Sequence, residues 1–173
     1  MRSLIDRLVA ARIGRTTNFY RDGAGAAVRR ERLAAYLAAR ADAPILLVGE
    51  APGYRGTRVS GIPFTSERQL TGAGPAEATA TIVHRVLAQL GAEDDVLLWN
   101  VVPTHPGTAT SNRAPTRREV AAGRAFADEL ARGRRVVGVG RVAHGAFGGT
   151  YVRHPSHGGA GEFAATLRAL ILR

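Results

Sequence analysis

The chain predicts an α/β fold: a three-layer α/β/α sandwich around a central four-stranded, mainly parallel sheet. Three observations carry this expectation. Short β-rich runs recur at 45–48, 96–102, 135–139 and 151–152. Glycine or proline closes the first three, at Gly49, Pro103 and Gly140. Segments with apolar residues at helical spacing separate them, and strands alternating with helices read as parallel βα units.

The elements follow in order. Ser3 can cap a helix with Leu4, Leu8 and Val9 on one face and Arg2, Arg7 and Arg12 on the other; Gly14 is expected to end it. In the connector 16–20, Phe19 and Tyr20 are expected to fill space beneath the domain. A second helix over 25–40 aligns Val28, Leu33, Tyr36 and Leu37. Residues 1–43 are thus expected to pack as helices on the sheet of a single domain, 1–173. Ser66 and Gln69 have capping-box spacing. Pro75 suits the first turn of a helix to Leu90 that buries Ile82, Val86, Leu87 and Leu90. His84 on that helix reads as partly exposed. The strand 96–102 puts Trp99 in the core and carries a polar amide, Asn100, near its end, shortly before Pro103. A loop over 103–115 follows, then a helix opened by the Thr116–Glu119 capping box and running to about Arg132. After the strand 135–139 come a short helix over 142–147, a last strand and a closing helix over 161–172, with Phe163, Leu167, Leu170 and Ile171 inward.

Composition narrows the function. A chain of 173 residues suits one α/β domain with a real core, and 45% apolar content excludes disorder. All 24 basic residues are Arg, and the net charge of +10 has two readings: a polyanionic partner, nucleic acid first, or a compositional bias in which Arg and Ala are abundant together. The cysteine count is zero, which excludes disulfides, a Cys nucleophile and a Cys-ligated iron–sulfur cluster. The five His are scattered and no carboxylate cluster reads as a metal site, so no metal is expected. No run of about 18 apolar residues exists to span a membrane, and no secretory signal is visible. A cytoplasmic monomer is expected.

The chemistry concentrates in 44–66, PILLVGEAPGYRGTRVSGIPFTS. A buried strand delivers Gly49, Glu50, Ala51, Pro52 and Gly53 to its C-terminal end, where open α/β sheets place their ligands. Glycines allow close backbone approach. Phe64, between Pro63 and Thr65, offers a flat apolar face. A carboxylate, approachable backbone and an aromatic ring suit a flat heterocycle. Asn100 leaves two readings: its amide bonds a neighbouring loop, or it faces a pocket and waits for a ligand.

The stretches GEAPGYRGTRVSGIPFTS, WNVVPTHPG and RHPSHGG, in this order, resemble the three motifs of the uracil-DNA glycosylase superfamily. The resemblance covers the chain from about Pro44 onward. The first stretch is most similar to the branch that carries an iron–sulfur cluster, from which this cysteine-free chain departs. The resemblance implies hydrolysis of the N-glycosidic bond of uracil in single- or double-stranded DNA, leaving an abasic site. It implies that Asn100 reads the pyrimidine edge, that Phe64 stacks on the base, and that Gly49, Ala51 and Gly53 bring backbone near it. His154 would stabilise charge at uracil O2, and Glu50 would position or deprotonate the attacking water. Arg55, Arg58, Arg113, Ser156 and His157 would lie along the DNA. In one branch a loop histidine attacks the sugar; here Asn112 stands at that position, so plain hydrolysis is expected, and His105 is the remaining imidazole in the loop. His157-Gly158-Gly159 offers no large aliphatic wedge for the gap left by a flipped base. Two alternatives stay open: a glycosylase for hypoxanthine or xanthine, and a DNA-binding relative without catalysis.

Overall fold

Alternation along two adjacent strands divides the core. A computed structural model describes residues 3–156 and 158–172. In β1 (Ile45–Gly49), Ile45 and Leu47 face one side while Leu46 and Val48 face the other. In β2 (Val96–Asn100), Val96 and Leu98 share the first side, and Leu97 and Trp99 the second. Strand side chains alternate, so one strand feeds two helix layers.

Ahead of β1 lie α1 (Leu4–Ala10) and α2 (Ala26–Ala39). The loop after β1 holds two short helices, α3 (Thr57–Ser60) and α4 (Glu67–Thr71), before α5 (Ala78–Gln89). After β2 come α6 (Arg117–Ala131), β3 (Arg135–Val139), α7 (Gly140–Phe147), β4 (Thr150–Val152) and α8 (Ala160–Ile171). Helices α5 and α8 cover the first face through Val83, Val86, Phe163 and Leu167. The second face is covered by α1, α2, α6 and α7 through Leu8, Leu33, Ala127 and Ala143. The sheet order is β2-β1-β3-β4 and every pairing is parallel. The three-layer α/β/α sandwich is therefore the observed fold, with a fully parallel sheet. The strand order reverses around β1, and crevices of such sheets open at the C-terminal strand ends beside that reversal. Among the described residues, no helix is long and apolar enough to cross a membrane.

Some boundaries differ from those the sequence suggests. Helix α1 ends at Ala10, because the side-chain amide of Asn18 donates to the carbonyls of Leu8, Val9 and Ala11. Gly14, at φ 51, instead forms a turn over Glu119, whose side chain a Cβ at Gly14 would overlap. Helix α5 starts at Ala78 rather than Pro75, whose carbonyl accepts from Arg68 N–H at 3.3 Å. Strand β2 ends at Asn100, yet Val101 and Val102 still donate to Gly49 and Glu50.

Candidate active site

The tightest packing in the crevice lies over Gly49. Gly49 and Asn100 are register partners at the ends of β1 and β2. A Cβ on Gly49 would overlap the Phe64 ring and stand 3.0 Å from Asn100 Oδ1. The ring and the amide thus meet over a position that tolerates no side chain. Asn100 is only 4% exposed, and its amide makes no hydrogen bond to any described residue. The amide atoms are nonetheless not fully sealed off, since Asn100 also lines a small cavity with Tyr20, Thr57 and Pro63, so the amide is free to bond a ligand that reaches it. The reading in which Asn100 bonds a neighbouring loop is therefore not the one observed.

Phe64 sits at φ 52, an uncommon value for a bulky residue. Its neighbours hold it there. Thr65 Oγ1 donates to Pro63 O at 3.0 Å, and Ser60 Oγ donates to Thr65 O at 2.6 Å. His84 Nε2 lies 2.9 Å from Thr65 Oγ1. The hydroxyl proton is committed to Pro63, so His84 donates. Burial lowers the His84 pKa below its ordinary value and keeps the ring neutral. His84 is therefore a brace for the Phe64 segment, a role its helical position does not announce.

Beside this packed region opens a cleft of about 540 Å³, lined among others by Glu50, Glu77, Asn112, His154 and Ser156. Ala51 and Gly53 line it too, whereas Gly49, Phe64 and Asn100 do not. The structure thus brings Glu50 and His154 together and sets Phe64 and Asn100 behind Gly49, the residue before Glu50. Burial raises the Glu50 pKa, and its carboxylate has no hydrogen bond or ion pair with a described residue. His154 follows β4. Its Nδ1 accepts from the Ser156 backbone N–H at 3.2 Å and lies 2.7 Å from Ser156 Oγ. A backbone N–H can only donate, so in the neutral ring the proton sits on Nε2.

Two loops form the cleft walls. Asn112 Oδ1 accepts from Tyr54 N–H at 2.9 Å and ties the loop after β2 to the one carrying Glu50. His105 does not face the cleft. It is fully buried, with Nδ1 2.8 Å from Pro52 O and Nε2 2.8 Å from Thr108 O. Its place in the loop left it open as a nucleophile; buried between carbonyls, it is a brace instead. Arg113 reaches the rim, but Glu119 takes its charge at 2.7 and 2.8 Å. That pairing, with the Thr116 and Arg15 backbone N–H groups, pulls the buried Glu119 carboxyl down to about 2. Arg55 is exposed and Arg58 half-buried, at the start of the α3 segment. His157 lies outside the described residues. Glu77, which the sequence did not single out, also lines the cleft. Burial raises its pKa, and its carboxylate fills the space over Gly53 and Gly56. Its local sequence carries no mark of this, since both glycines are more than twenty positions away. Among the described residues, no group of three or more His, Cys, Asp or Glu could hold a metal ion.

The chain matches the family model of the Uracil DNA glycosylase superfamily over residues 37–171. No curated protein matches it. Among solved structures it is similar to the crystal structure of wild-type SMUG2 from Pedobacter heparinus, at TM-score 0.67 and 15% identity, with both chains covered in full. The wild-type UNG structure from Nitratifractor salsuginis gives TM-score 0.48 and 18% identity, over 83% of this chain and 79% of that one. At 15% identity the first likeness speaks for the fold alone. The family match, by contrast, spans all three strand ends that build the crevice, Glu50, Asn100 and His154 included. The chain belongs to the uracil DNA glycosylase superfamily, and its fold and motifs are those of a DNA glycosylase.

Proposed function

We propose that the protein hydrolyses the N-glycosidic bond of uracil in DNA and leaves an abasic site. The observation that carries this reading is the unpartnered Asn100 amide beside the Phe64 ring, one residue from a cleft shared by Glu50 and His154. A uracil in a duplex must first be extruded, at a cost of a few kcal/mol. Stacking on Phe64 offsets about 1–3 kcal/mol of it. The Asn100 amide accepts from uracil N3–H and donates to O4; cytosine presents the reverse pattern. As the bond breaks, negative charge gathers on the departing base and positive charge on the sugar. His154, with its proton on Nε2, is a preorganised donor for uracil O2. Glu50 orients the attacking water, takes its proton and favours the cationic sugar. With no cysteine to ligate iron, a cluster does not fit this chain, and the proposed chemistry uses none.

Single-turnover assays on oligonucleotides carrying uracil, hypoxanthine or xanthine, single- and double-stranded, test the reading. Release of uracil supports it. Release of only the purines would replace it with the deaminated-purine alternative, and binding without release with a non-catalytic one. Asn100→Asp should slow uracil release; unchanged kinetics would remove Asn100 from base recognition.

A further inference from the structure

The cleft does not end at Asn112. A second groove of about 790 Å³ continues from it, sharing Pro106, Arg113 and Ala114, and runs to Arg15 and Arg118. Arg15 lies in the N-terminal segment, which the family match at 37–171 leaves out. We propose that this segment is part of the substrate surface, and that Arg15 and Arg118 hold the phosphates of one DNA strand where it leaves the cleft. The inference rests on the glycosylase reading above.

The segment is built into place. Thr17 and His105 exchange backbone hydrogen bonds of 2.8 and 3.0 Å, and Thr16 Oγ1 lies 2.6 Å from Thr104 Oγ1. The Arg15 backbone is held on both sides: its N–H donates to Glu119 Oε1 at 3.0 Å, and its carbonyl accepts from Arg113 Nη2 at 3.3 Å. The main chain is thus pinned while the guanidinium is exposed and bonded to no described residue. Arg118, in the first turn of α6, is exposed and unpaired in the same sense.

Charge singles out the occupant. Arg113 and Glu119 neutralise each other, so Arg15 and Arg118 leave the groove with two uncompensated positive charges. Pro106 and Ala114 add apolar surface to the same groove. Two unpaired cations and apolar surface in one groove suit a sugar–phosphate strand, whose phosphates seek guanidinium and whose sugars do not. Continuity adds to this, because a nucleotide held in the cleft must be followed by the rest of its strand.

Equilibrium binding of a uracil-containing oligonucleotide across a salt series tests the proposal, together with the single-turnover rate at saturating DNA. Arg15→Ala and Arg118→Ala should each weaken binding about three- to tenfold and lower the salt slope by about one. The loss should appear in Kd rather than in the saturated rate. Arg15→Glu should weaken binding further. Arg132→Ala, at the far end of α6 and about 21 Å from Arg118, is the control for general charge loss. Variants that cleave and bind like the wild type, or no worse than Arg132→Ala, would overturn the track and leave the glycosylase reading standing. A wild-type protein that neither binds nor cleaves uracil DNA would overturn both.

Discussion

The two halves of the crevice are built differently. Over Gly49 the site is packed like a core: Phe64 is 8% exposed and Asn100 4%. One residue further, at Glu50, it opens into a cleft of about 540 Å³. Recognition of a base edge gains from a rigid, dry amide, because a wrong base leaves buried polar groups unpaired. Hydrolysis needs water as a reactant, and a closed core would exclude it. The division between β1–β2 packing and the Glu50–His154 cleft matches those two demands.

The sharpest way to break this comparison is to remove the donor on the open side. His154→Ala should lower the single-turnover rate on uracil DNA by about 10²–10³, the usual effect of losing one preorganised donor to a developing oxyanion. DNA affinity should change little, because the loss is confined to the transition state. A smaller loss of rate than of affinity would move His154 from chemistry to binding.

On the packed side the corresponding change is Gly49→Ala. The new methyl would overlap the Phe64 ring and crowd Asn100 Oδ1. Overpacking of this kind costs about 1–3 kcal/mol, or roughly 2–4 °C in Tm per kcal/mol at this size. Gly145→Ala in α7 is the control: nothing stands within 4 Å of its Cβ position, so the helix should gain slightly. Equal melting shifts for the two variants would show that the site is not packed as described.

Much of this arrangement was legible in the residues, for physical reasons. The strands announced themselves because parallel strands buried on both faces must be apolar throughout and end on glycine or a polar residue. Asn100 stood out because an amide at the end of such a run needs an explanation. What was not legible depends on partners distant in sequence. The amide of Asn18 caps α1 from seven to ten positions away, so Gly14 looked like the helix stop. His105 looked available until Pro52, Thr108 and Ser111 surrounded it. Glu77 matters only because the fold lays it over Gly53 and Gly56. Arg113 reads as a free cation in the loop, and its neutralisation by Glu119 depends on how that loop folds back onto α6.

That ion pair gives a third test, on the outer wall of the cleft. Glu119 is held at about 2, below the ordinary carboxylate value. A depressed folded-state pKa stabilises fully above the unfolded value, about 4.3, and the contribution disappears as pH falls from there toward the folded value. The shift would correspond to roughly 3 kcal/mol, and partial solvation of Arg113 brings the expected effect to about 1–2 kcal/mol. Glu119→Gln should cost about that much at pH 7 and flatten the acid side of the stability curve. A variant with the same slope between pH 4.3 and 2 would show that other carboxylates govern acid unfolding.

The smallest expected effect lies where the two walls of the open cleft meet. Asn112 Oδ1 accepts from Tyr54 N–H at 2.9 Å and links the loop after β2 to the loop carrying Glu50. One exposed hydrogen bond contributes about 0.5–1.5 kcal/mol. Asn112→Ala should therefore leave the fold nearly as stable as before. If the bond fixes the Glu50 loop for water attack, the rate should fall a few-fold with Kd for DNA nearly constant. Asn112→Asp should restore it, because a carboxylate oxygen still accepts from Tyr54. Asn112→Ala with full rate would mean that His105 on Pro52 and Glu77 over Gly53 hold that loop by themselves. The open half of the crevice would then be as firmly preorganised as the packed half, and openness alone would distinguish them.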